Sequence, residues 1–205
     1  MYIGADVSHA APGSKAPSLA TMVGSVDHEG IRYACPLPLN QNNREESISG
    51  VTSMVTQLVN IYKKNTNTYP SRVLYFRDGV AEGQFAKVKD VEIKAIKEAI
   101  ETVSGKVPTV TAMVVRKRNH TRFFPRDGEG DRTSKGNVFP GTVVDREITH
   151  PRDFDFCNLT HTSIILSCFN PFLFIDLVPH SSIQGTARPA HYCNTLPSRY
   201  NHSIY

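Results

Sequence analysis

The chain has 205 residues, a formal net charge of +4 and 40% apolar residues. That length and apolar share allow a sizeable core and make one domain the natural expectation, while the small basic excess does not by itself establish a polyanion partner. Cys35, Cys157, Cys168 and Cys193 form no CxxC pair and no zinc spacing, so reduced thiols in a cytoplasmic protein are expected.

Residues 1–9 (MYIGADVSH) read as a strand that begins at once, interrupted by Asp6; no basic stretch precedes an apolar run, so no signal peptide is expected. Residues 10–17 are loop chemistry. Residues 18–27 and 31–39 read as two further strands, joined by the hairpin signal His28-Glu29-Gly30. The period then changes. Ile48, Val51, Met54, Val55, Leu58, Val59 and Tyr62 recur at helical steps and predict an amphipathic helix over about 45–64. Residues 72–77 form the fourth strand. A second helix fits 82–103, with Phe85, Val88, Val91, Ile93, Ile96 and Ile100 as its apolar members. Val110 to Val115 is the fifth strand, residues 124–137 a polar Gly-rich loop, and residues 141–149 one more strand.

Three sequential strands followed by two strand-helix-strand crossovers imply an α/β fold with a mixed sheet. That is the order of the ribonuclease H-like fold. A Rossmann-type sheet fits less well, because Gly4 alone is no phosphate-binding loop.

Two carboxylates stand out in this frame. Asp6 interrupts the first strand and Asp78 ends the fourth, in "RVLYFRDGVAEGQF". In a mixed sheet of this order those strands are neighbours, so the two carboxylates converge at one sheet edge. Half-buried like charges repel and both lose hydration, and a divalent cation relieves both penalties. Mg²⁺ suits all-oxygen ligation and phosphodiester hydrolysis. The plainer explanations stay open: Asp-Gly is a common turn pair, and Asp6 can bond to local backbone. Glu45 or Glu46 could supply a third carboxylate, although Glu also suits the first turn of a helix on dipole grounds alone.

The stretches "GADVSH" (4–9), "YFRDGVAEGQF" (75–85), "KRNHTRFF" (117–124), "GTVVDREITHP" (141–151), "FDF" (154–156) and "IQGTARPAHY" (183–192) occur in family order and together resemble the Piwi domain of eukaryotic Argonaute proteins. The resemblance covers roughly residues 1–157 and 180–192. It implies the ribonuclease H-like fold, a small guide RNA with a complementary target RNA as partners, and descent from Mg²⁺-dependent RNA endonucleases, with Mn²⁺ able to replace Mg²⁺. It matches Asp6 and Asp78 to catalytic, metal-holding aspartates. It matches Glu46, in Glu46-Ser47-Ile48, to a glutamate that completes the site once the guide is loaded; Glu45 remains open. The fourth family ligand, a His or Asp, lies downstream of "RPAHY". The tail "CNTLPSRYNHSIY" (193–205) carries nothing that matches it, so no fourth ligand is assigned.

The basic cluster Arg116, Lys117, Arg118, His120 and Arg122 directly follows the fifth strand and can neutralise several phosphates. The resemblance implies that Lys117 and Arg122 grip the guide backbone, and that His180, Gln184, Thr186 and Arg188 belong to the same surface. A solvated charged loop is the plainer explanation. Between "FDF" and "IQGT" the family is short, whereas here residues 158–179 are extra, read as a non-family insertion such as translated intron or an alternative isoform, with an additional buried strand or helix as the plainer explanation. Within it, residues 162–178 are almost uncharged and rich in Ile, Leu and Phe, but they are too few for a transmembrane span and hold Pro171 and Asp176. The chain is thus expected to be one incomplete Piwi domain without the N-terminal, PAZ and MID regions. The competing readings are a binding-only or non-functional fragment, and another ribonuclease H-like nuclease such as a transposase; "KRNHTR" and "IQGTARPAHY" argue against the last.

Overall fold

The structure, a computed structural model, describes residues 1–41, 45–116, 123–126, 130, 137–148 and 155–158, and the backbone of 170–176. The chain divides into two units, one built on Met1–Val114 and the other on Val115–Phe174.

In the first unit the strands β1 (Tyr2–Ser8), β2 (Ser18–Ser25), β3 (Tyr33–Ala34), β4 (Leu39–Gln41), β5 (Arg72–Asp78) and β6 (Thr109–Val115) form one sheet. Its order is β3-β2-β1-β5-β6, with β4 also paired to β2. β1 and β2 are antiparallel, and β1 and β5 are parallel. The sheet is therefore mixed, as the element order requires, and the first strand lies beside the strand that carries Asp78. The expected third strand over 31–39 is instead two short pieces, β3 and β4, both antiparallel to β2.

Alternation decides which side of the sheet is apolar. Ile3, Ala5 and Val7 of β1 are buried, as are Val73 and Tyr75 of β5 and Val110, Ala112 and Val114 of β6. Helix α1 (Val51–Thr66) buries Val51, Met54, Val55, Leu58, Val59 and Tyr62, the stripe predicted from spacing. It ends at Asn67, whose left-handed φ of 58° lets its N–H close on the Lys63 carbonyl at 2.9 Å.

The helix starts at Val51 rather than near residue 45. Gly50 is its N-cap, and a Cβ there would fall 1.9 Å from Leu39 Cδ1, so a larger residue would require the Leu39 side chain to move. The residues ahead of it are held by side chains, not by helical bonds. Ser49 donates its backbone N–H to Gln41 Oε1 at 3.0 Å and Ile48 donates its own to Glu92 Oε1 at 3.0 Å. Glu46 consequently sits in a pinned loop.

The second helical region runs through four forms: a 3-10 turn (Glu82–Gln84), α2 (Phe85–Lys87), a π-helical segment (Val88–Ile93) and α3 (Lys94–Ser104). The π segment changes the phase. Val91, counted among the apolar face from spacing, is 41% exposed, while Glu92 is fully buried.

The second unit contains β7 (Val143–Val144), β8 (Asp155–Asn158) and the part of β9 (Asn170–Asp176) up to Phe174, paired antiparallel in that order. Phe123, Val138 and Cys157 cluster there with Val144 against them. The strand expected over 141–149 is limited to Val143–Val144. Glu147 takes a φ of 65°, and the Ile148 N–H returns to the Arg146 carbonyl at 2.7 Å, so the chain folds back instead of extending.

Candidate functional site

The parallel ladder pairs Ala5 of β1 with Arg77 of β5. Asp6 and Asp78 are the next residues on each strand, so they leave the same end of two adjoining strands. Asp6 is exposed and Asp78 half-buried. Asp6 Oδ1 accepts the Val7 N–H at 2.9 Å. It also reaches over the turn after Asp78: a Cβ at Gly79 would lie 3.7 Å from Asp6 Oδ1, and Gly79 holds a φ of 81°. The left-handed turn that glycine permits thus brings the chain after Asp78 beneath the Asp6 carboxylate.

The two candidates for a third carboxylate point to different partners. Glu45 faces Lys87 Nζ at 3.4 Å. Glu46 Oε1 lies 2.6 Å from His9 Nε2, and His9 Nδ1 lies 2.7 Å from the buried Ser18 hydroxyl. His9 stands three residues after Asp6, so the Glu46 side chain is tethered at the end of β1.

Beneath these groups lies a buried network. Arg77 continues the inward parity of Val73 and Tyr75 and is 1% exposed. Its Nε donates to Glu92 Oε2 at 3.1 Å. Its two other nitrogens donate to the backbone carbonyls of Asp78 and Glu46. Tyr75 donates its hydroxyl to Glu92 Oε2 at 2.7 Å. Burial, and then the Glu92 charge, push the Tyr75 phenol well above its ordinary range, so it stays a donor. One guanidinium therefore joins the backbone at Glu46 to the backbone at Asp78.

His9, Arg77, Glu92 and Gln41 were not singled out from the sequence. Arg77 carried a usable signal: a cation on the buried parity of a strand needs a buried acid. Glu92 carried none, because its burial depends on the π segment. Of the expected nucleic-acid contacts, Lys117, Arg118, His120, Arg122, His180, Gln184, Thr186 and Arg188 lie outside the described residues.

Among the described residues, no three or more His, Cys, Asp or Glu side chains group as ligands for a metal ion. Asp6 and Asp78 together offer an oxygen-only pair at a sheet end, which fits a hard divalent ion in donor chemistry.

A family described as "Piwi domain" matches residues 1–173. The chain belongs to the Piwi domain family. Two rice proteins, "Protein argonaute 2" and "Protein argonaute 12" of Oryza sativa subsp. japonica, are each 38% identical to this Piwi chain, over 96% and 94% of its length. It spans only 17% and 18% of theirs. Among solved structures, the C-terminal lobe of a budding yeast Argonaute superposes with a TM-score of 0.74 at 34% identity, covering 85% of this chain and 37% of that one. Kluyveromyces polysporus Argonaute with a guide RNA gives a TM-score of 0.76 at 32% identity, covering 88% of this chain and 23% of that one. The Piwi fold is ribonuclease H-like, in agreement with the strand order. The family match runs into the stretch 158–179 and stops at residue 173. No helix among the described residues is long and apolar enough to cross a membrane.

Proposed function

We propose that this Piwi chain binds a small guide RNA paired to its target RNA in RNA-mediated gene silencing, and that its site descends from a divalent-metal RNA endonuclease. The observation that carries the reading is the placement of Asp6 and Asp78 at one end of the adjoining parallel strands β1 and β5, in a chain of this family. The solved relative that holds a guide RNA supports the same partner class.

Asp6 and Asp78 are the residues that would hold Mg²⁺, or Mn²⁺ in its place. Such an ion, when bound, activates a water and stabilises the leaving oxygen in phosphodiester hydrolysis. The chain's own contribution is geometric. Arg77 holds the backbone at Asp78 and at Glu46, and His9 holds the Glu46 carboxylate. Glu46, in the motif Glu46-Ser47-Ile48, is the first candidate for the third acid, and Glu45, which faces Lys87, is the alternative. Lys117, Arg118, His120 and Arg122, with His180, Gln184, Thr186 and Arg188, supply the phosphate-facing surface. Base pairing carries the sequence information, and the protein reads duplex shape and charge.

A second reading, binding without cleavage, is favoured by the engagement of Glu46 with His9 and by the lack of a three-acid group among the described residues. A single-turnover assay on a guide-paired, end-labelled target with Mg²⁺ separates the two. Cutting that is lost in Asp78→Asn supports the nuclease. Duplex binding with no cutting in the wild type supports the binding module.

A further inference from the structure

We propose that Glu92 is a positioning residue for the carboxylate site, acting through Arg77 and through the loop that carries Glu46. The proposal rests on the metal-dependent nuclease reading above. Glu92 is fully buried in the π-helical segment Val88–Ile93, where an unneutralised carboxylate is costly. Its acceptor sites are nevertheless filled. Oε1 takes the Ile48 N–H at 3.0 Å, Oε2 takes the Tyr75 hydroxyl at 2.7 Å, and both oxygens face Arg77 Nε, at 3.3 and 3.1 Å.

The direction of that contact matters. A guanidinium is a rigid planar fork, so fixing the edge at Nε fixes where its other nitrogens point. Here they point at the Asp78 and Glu46 carbonyls. Glu92 also holds Ile48, two residues beyond Glu46, without an intermediary. The Glu46 loop is thus restrained twice by one carboxylate, and Asp78 is restrained through the same guanidinium. A side chain that only filled space would need none of this. The π segment is the local cause, since it turns Glu92 inward and Val91 outward.

The test is Mn²⁺ binding to the 205-residue chain, followed by the electron paramagnetic resonance signal of the free ion. Circular dichroism melts set a temperature at which every variant is folded. Glu92→Gln keeps the volume but removes the charge and turns a donor toward donors; it is expected to weaken Mn²⁺ binding about tenfold. Leu58→Ala, a cavity in α1 away from the site, is expected to lower the melting temperature and leave Mn²⁺ affinity within about twofold. Should Glu92→Gln fail to fold, Arg77→Lys serves instead. It keeps the charge and loses the fork to the two carbonyls, and the same tenfold weakening is expected. Asp78→Asn should remove the binding. Wild-type Mn²⁺ affinity in Glu92→Gln, or in Arg77→Lys where that serves, alongside a defective Asp78→Asn, overturns the positioning role alone. A loss in Leu58→Ala equal to that in the tested network variant overturns it too, because the effect then tracks stability. A wild-type chain that binds no Mn²⁺ overturns the nuclease reading and this proposal together.

Discussion

Arg77→Met tests the buried network by stability. The Arg77 and Glu92 side chains are 1% and 0% exposed, so neither charge is solvated in the folded chain. Removing the guanidinium leaves Glu92 with the Tyr75 hydroxyl and the Ile48 N–H as its two remaining donors among the contacts described above. It also strips a partner from the carbonyls of Asp78 and Glu46. Breaking a buried ion pair from one side costs about 3–5 kcal/mol. For a chain of this size, about 1 kcal/mol moves the midpoint by roughly 2–4 °C, so a fall of roughly 6–20 °C is expected. The double variant Arg77→Met/Glu92→Gln removes both charges and keeps an amide oxygen for Ile48 or Tyr75. It should therefore recover about 2 kcal/mol relative to Arg77→Met, which gives a coupling of the size seen between contacting residues. Urea titrations followed by far-ultraviolet circular dichroism measure all three. A single variant within about 1 kcal/mol of the wild type, or additive singles and double, would refute the claim that this pair is structurally coupled.

Asp78→Asn should abolish Mg²⁺-dependent cutting while sparing duplex binding, and wild-type cleavage in that variant removes Asp78 from the site. Lys117→Ala with Arg122→Ala should weaken RNA binding and flatten its salt dependence by about two charges' worth in a filter assay; an unchanged slope speaks against phosphate contacts there. Asp27 gives a pH prediction. Burial alone raises its carboxyl, but the backbone N–H groups of Arg32 and Ile31 and the Arg32 side chain outweigh it, and the net shift is downward. Because the folded value lies below the unfolded one, its stabilisation is present above the ordinary carboxylate range and is lost as pH falls through the folded value. Melts at pH 7 and pH 3 should accordingly show a wild-type advantage over Asp27→Asn that shrinks in acid; a constant gap contradicts it. Burial, and then Asp155, push the Cys157 thiol up, whereas Cys35 is exposed. Peptide mapping after brief iodoacetamide treatment at pH 7 should find Cys35 modified well before Cys157.

Much of the architecture was legible in the residues themselves. The apolar spacing of Val51, Met54, Val55, Leu58, Val59 and Tyr62 can be satisfied only by a helix with one buried face, and that face is the one buried. Alternation in "YIGADVS" and "RVLYFRD" fixed which side of each strand is apolar, and the element order made those strands neighbours. The adjacency of Asp6 and Asp78 followed from these two facts. Local pattern failed where a distant side chain supplied the backbone's partner. Ile48 fits the helical spacing, yet its N–H is taken by Glu92 from forty-four residues away, so the helix begins at Val51 and Glu46 stands in a loop. Val91 fits an apolar face, yet the π segment turns it out and buries Glu92 in its place. A carboxylate goes inside only when buried donors meet it, and which donors meet is a property of packed strands and helices. Sequence periodicity could therefore name the two aspartates; only the tertiary structure could show that Arg77, held by Glu92, bonds the backbone carbonyl of Asp78.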